Sequence, residues 1–72
     1  MNEKEKIRVM YEFEPGEAFE LFYEGVVKLL HSRSPEDIPE ITRLFDKSIE
    51  KCPENKYSRI YRNIAIGGVP DE

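Results

Sequence analysis

The chain carries one cysteine, Cys52, and one histidine, His31. A thiol and an imidazole are the minimum set for nucleophilic catalysis, with the imidazole taking the proton of the attacking group. Cys52, however, continues an apolar stripe, and free cysteine commonly serves as a small buried hydrophobe. It is therefore expected in the core. A single cysteine forbids an internal disulfide, and a single histidine leaves no pair of soft ligands at metal spacing. Glu12, Glu14, Glu17 and Glu20 are hard-cation donors by type, but no loop concentrates oxygen ligands around them. They are expected as a solvated acidic edge. Gly67-Gly68 lacks the frame of a phosphate-binding loop and reads as a turn. These residues point to no catalytic group, no metal and no cofactor.

Lys56, Arg59 and Arg62 recur at threes beside Tyr57 and Tyr61. Alternating cations and aromatics are the composition of a surface that stacks bases and neutralises phosphates. Two considerations oppose that use. The tyrosines are also needed to bury their own segment, and the net charge of −4 works against phosphate affinity. The charge is uneven: residues 1–40 hold five basic against ten acidic side chains, whereas residues 41–62 hold six against three. Solvated helix faces explain this, with a basic anion-meeting surface in the second half as the sharper reading.

The elements that must position these residues follow from periodicity. The 72 residues read as a single small domain, with residues 1–5 and 68–72 as flexible ends. A chain of this size buries only about 60% of its unfolded surface, so helical packing or self-association must supply its stability. No apolar run approaches the ~20 residues of a membrane span. The charged start, Met1 to Lys6, is not followed by the apolar run of a signal peptide. With one thiol, a cytoplasmic setting is expected.

Residues 6–13 alternate. Ile7, Val9, Tyr11 and Phe13 share one face before Pro15-Gly16, which predicts a strand. Residues 17–31 change period. Phe19, Phe22, Tyr23, Val26, Val27 and Leu30 form a helical stripe, with Leu21 and Leu29 beside it. Gly25 falls within this helix, where it costs up to ~1 kcal/mol, and implies close approach of a second helix. Ser34 and Pro35 punctuate, and Asp37 caps a helix over residues 38–52 with the stripe Ile38, Ile41, Phe45, Ser48, Ile49 and Cys52. Pro53 ends it. Tyr57, Ile60, Tyr61, Ile64 and Ala65 predict a third helix, with a strand over residues 59–66 as the alternative.

Ile41, Phe45, Ser48, Ile49 and Pro53 resemble the second helix of a tetratricopeptide repeat. The resemblance covers about a fifth of the chain. Ile41 stands where that family prefers alanine, the preceding helix lacks the family's pattern, and the chain holds no second copy. What the resemblance implies is a way of packing: residues 38–52 antiparallel to residues 17–31. Phe22, Val26, Ile41, Phe45 and Ile49 are the expected central contacts.

The fold expected is mainly α with an N-terminal strand: an antiparallel helical hairpin plus a short third helix, or alternatively an α+β arrangement, β-α-α-β. Eight aromatics exceed what two or three helices can enclose, and a strand without a neighbour offers an edge. The functional expectation is a small non-enzymatic protein–protein interaction module, an adaptor or inhibitor of a larger partner. Tyr11, Phe13, Leu21 and Leu29 are its expected partner-binding residues, and a homodimer that pairs the strands of two copies is expected. The alternative is a small nucleic-acid-binding regulator using Lys56, Arg59 and Arg62.

Overall fold

The computed structural model describes residues 2–32 and 34–67. They form four helices: α1 (Glu3–Met10), α2 (Glu17–His31), α3 (Ile38–Lys51) and α4 (Lys56–Gly67), with one 3-10 turn, Pro35–Asp37, leading into α3. The expected flexible end at 68–72 lies outside the described residues. Of the expected flexible end at 1–5, Met1 lies outside the described residues, Asn2 caps α1 and residues 3–5 begin it.

The N-terminal strand is not present: residues 6–10 belong to α1, and residues 11–13 form the turn that follows it. Asn2 caps α1, accepting the N–H of Glu5 on Oδ1 at 2.8 Å, and Glu3 and Glu5 occupy the first turn. Acidic residues there suit the positive end of the helix dipole. The alternation of Ile7, Val9, Tyr11 and Phe13 had another origin. Ile7 and Tyr11 are one helical turn apart and both pack on the core, Val9 is exposed, and Phe13 lies past the helix end. The β-α-α-β alternative fails as well, since residues 59–66 belong to α4 and no strand occurs among the described residues.

The end of α1 is a Schellman turn. Phe13 N–H bonds to Arg8 O at 3.0 Å and Glu12 N–H to Val9 O at 3.1 Å, with Glu12 at φ 61°. This reverses the chain and drives Phe13 inward, where it is 4% exposed.

The antiparallel hairpin of α2 and α3 is held at three levels. At one end Lys51 pairs with Glu17. Nearby, Ser48 Oγ donates to Ala18 O at 2.8 Å. At the other end Lys28 pairs with Glu40 at 3.6 Å. Between them Gly25 admits the ring of Phe45. α4 then runs antiparallel to α3. The Ser48 and Ser58 hydroxyls lie 2.9 Å apart, Phe45 stacks on Tyr61, and Arg62 donates to Asp46.

The core comprises Phe13, Phe19, Phe22, Val26, Ile41, Phe45 and Ala65. Phe22, Val26, Ile41 and Phe45 hold the expected central places, and Ile49 is half-buried. Leu30 departs from the expected stripe: it is 67% exposed, and Leu29 packs on the core instead. The helix turns its Gly25–Leu29 side to α3, which leaves Leu30 outward. The eight aromatics are all enclosed or half-enclosed in one network of ring contacts, with Tyr11 meeting Phe22, Tyr57 and Tyr61. The expectation of surplus aromatics fails because α1 adds a fourth helix.

Candidate functional site

Of the residues expected to bind a partner, Tyr11 and Phe13 face the interior. Phe13 packs on Phe19 and Phe22, with ring centroids 5.9 and 4.7 Å away. Tyr11 is half-buried, and its hydroxyl lies 2.7 Å from that of Tyr61. Burial, then the hydrogen bond with Tyr11, pushes the Tyr61 phenol up to about 12. The Tyr61 phenol stays protonated through the physiological range, and the hydroxyl pair joins α1 to α4.

Asn55 completes that junction. Its side chain is buried, its Nδ2 donates to Tyr11 O at 2.9 Å, and its Oδ1 accepts the N–H of Tyr57 at 2.9 Å. One amide therefore satisfies the end of α1 and caps the start of α4.

Leu21 is half-buried on α2. Leu29 lies at the opposite end of the bundle from Asn55. There it lines an open depression of about 310 Å³ with Pro35, Ile38, Ile41 and Ala65 and the serines Ser32 and Ser34. Leu30 and Ile66, the chain neighbours of Leu29 and Ala65, are 67% and 51% exposed. A second depression of about 200 Å³ shares Ser32 and Ile41 and adds Lys28, His31, Asp37 and Glu40. Ser32 Oγ donates to Asp37 Oδ2 at 2.9 Å. An apolar hollow thus adjoins a charged one. Leu29 was singled out in the sequence and Ile66 was not, although its position off the Tyr57–Ile60–Tyr61–Ile64 stripe was a signal of its exposure.

The basic–aromatic segment does not form one surface. Tyr57 and Tyr61 turn into the ring network, whereas Arg59 and Lys56 are exposed. Arg62 is engaged by Asp46, and Lys56 Nζ stands 5.4 Å from the centre of the Tyr57 ring. Base stacking needs aromatic faces open to solvent, and these two rings are committed to packing.

The residues with nucleophilic or ligating chemistry are dispersed. His31 adjoins the start of α3, whereas Cys52 caps its end. A helix of this length spans about 20 Å, so the two never meet. Cys52 corrects the expectation of a core thiol: it is half-buried, lies outside the core and lines two surface depressions. Glu17 and Glu20 are paired with Lys51 and Lys4. Glu12 and Glu14 line a depression of about 400 Å³ with Cys52, Glu54, Asn55, Lys56 and Tyr57. Among the described residues, no group of three or more His, Cys, Asp or Glu is placed to hold a metal ion, and no helix is long and apolar enough to cross a membrane. No protein-family model matches the chain, and no curated protein or solved structure is significantly similar to it.

Proposed function

We propose that this chain is a small non-enzymatic protein-interaction module, an adaptor or inhibitor that engages a larger partner through the end of the bundle formed by the last turns of α2 and α4 and the first of α3. The observation that carries the reading is the apolar hollow of Leu29, Ile38, Ile41 and Ala65, flanked by exposed Leu30 and Ile66. A hollow of this kind seats one aliphatic or aromatic anchor, and covering the exposed neighbours adds about 1.5–3 kcal/mol for each large side chain before the costs of association. The adjoining Lys28, His31, Asp37 and Glu40 supply a mixed-charge rim that orients the partner. The single thiol fits a reducing, cytoplasmic setting.

The reading is tested by affinity capture with quantitative mass spectrometry. A partner taken by the parent should be lost with Leu30→Asp and Ile66→Asp and retained with Arg59→Glu. Equal capture by all four baits removes this end of the bundle as the site. The nucleic-acid reading has less support, since Arg62 is engaged and both tyrosines are packed. It would regain support from low-salt binding to RNA or DNA that is lost in Arg59→Glu and falls steeply with salt.

A further inference from the structure

We infer that residues 2–13 form an exchangeable unit, and that the site it occupies on α2 and α4 takes the same unit from a second copy of the chain. This goes beyond the docking reading above and uses a different surface.

The helices of the body also pack directly on one another, through contacts that do not involve this unit. α2 and α3 meet through Gly25 and Phe45, and α3 and α4 through Ser48 with Ser58 and Asp46 with Arg62. α1 contributes no buried residue of its own. Its attachment comes from half-buried Ile7 and Tyr11 and from Phe13, which follows it. The receiving surface belongs wholly to the rest of the chain: Phe19 and Phe22 under Phe13, Tyr57 and Tyr61 against Tyr11, Asn55 on the Tyr11 and Glu12 carbonyls, and Glu20 facing Lys4 at 2.8 Å. Each of these contacts joins the unit to the body, and each can be remade unchanged with the body of another chain.

The connection favours this exchange. Residues 14–16 are exposed, and among the described residues neither Glu14 nor Pro15 makes a hydrogen bond. Pro15 disfavours a helical Glu14 and so biases the connection toward an extended form. Gly16, at φ 151°, sits where other residues rarely go and can be redirected freely. Short hinges between an element and its packing site invite swapping. Three extended residues reach about 10 Å, so two exchanged bodies must lie side by side, and reciprocal exchange closes as a two-fold dimer. The Schellman turn at Glu12 lies inside the unit and survives the exchange.

Lys4 and Glu20 provide the test in the unmodified protein. Equal amounts of nitrogen-15-labelled and unlabelled chain are unfolded together and refolded at high concentration. The dimer fraction is isolated and treated with a carbodiimide, which condenses the Lys4 amine with the Glu20 carboxylate to an amide with loss of water. In a swapped dimer every such cross-link joins two chains, so random pairing makes about half of the cross-linked peptides mixed in isotope. A dimer in which all Lys4–Glu20 cross-links carry a single isotope overturns the exchange while leaving self-association intact. A chain that stays monomeric after concentrated refolding overturns it too, and leaves the end-of-bundle docking site standing.

Discussion

Gly25 lies against the edge of the Phe45 ring: a β-carbon on Gly25 would stand 2.9 Å from both Cε1 and Cζ. Phe45 is fully buried and is walled by Phe22 and Tyr61, so the ring has no room to retreat. Gly25→Ala therefore sets two effects against each other. Alanine's helix propensity returns ~1 kcal/mol, whereas overpacking a filled core costs about 1–3 kcal/mol. A net loss is expected, read as a lower melting temperature. Phe45→Leu removes the ring edge, so the double variant should be less destabilised than the two single losses combined. A Gly25→Ala protein that melts above the parent would show that the glycine is not there for helix approach.

Glu12 gives the opposite sign. It occupies the left-handed position of the α1 Schellman turn at φ 61°, where glycine is the usual residue. Left-handed backbone costs an L-residue roughly 1–2 kcal/mol, offset in part by the entropy that glycine loses on folding. Glu12→Gly should stabilise the protein by about 1 kcal/mol, raising the melting temperature by about 4–8 °C for a domain of this size. Unchanged or lowered melting would mean that the Glu12 side chain contributes more than its backbone strain costs.

Asn55 separates two roles by substitution. Asn55→Ala removes the α4 cap, about 1–2 kcal/mol, and leaves the Tyr11 and Glu12 carbonyls without their donor. Asn55→Asp keeps an oxygen for the Tyr57 N–H and loses only the donors toward α1. Amide hydrogen exchange should then quicken in α1 for both variants, but in the first turn of α4 for Asn55→Ala alone. Parallel exchange profiles would dissolve the distinction.

The contrast between α1 and the other helices explains what the sequence revealed. The stripes of α2 and α3 run over three turns or more, long enough to fix the period, and Gly25 marked the close approach of a second helix, which the Phe45 ring of α3 makes. Residues 6–13 offered only four alternating apolar positions, a length at which helix and strand patterns coincide. The deciding signal lay just upstream, in Asn2 and Glu5 at capping-box spacing followed by charged helix formers. Leu29 and Leu30 show a different limit. Leu30 continues the expected stripe and Leu29 adjoins it, yet the neighbouring helices cover Leu29 and leave Leu30 exposed. The Asn55 junction was illegible because it joins residues more than forty positions apart through a single amide.

Cys52 should react with a small thiol reagent in the folded protein, without denaturant. Its half-exposed position at the end of α3, lining two depressions, gives the reagent a path. Mass spectrometry of the native protein should show one adduct, with no loss of helical circular dichroism, because the core lies elsewhere. Labelling that appears only after unfolding would return the thiol to the interior.

The Tyr11–Tyr61 pair predicts a loss of stability in alkali. The Tyr61 phenol rises from its ordinary 10.0 to about 12 in the fold, chiefly through burial and then through its bond with Tyr11. Below pH 10 the phenol is protonated whether the chain is folded or unfolded, and its contribution is complete. Between pH 10 and 12 the unfolded chain releases the proton and the folded chain retains it, so stability falls as pH rises. The informative quantity is the difference from Tyr61→Phe, in which the contributions of all other groups cancel. The parent should lose stability faster than that variant from pH 10 upward, with the two curves parallel below. Phenolate absorbance should show one late-titrating tyrosine in the parent that titrates earlier in Tyr11→Phe. Melting curves that decline in parallel from pH 10 to 12 would mean that the hydroxyl pair does not hold α1 to α4, and the attachment of α1 would then rest on Phe13 and Asn55.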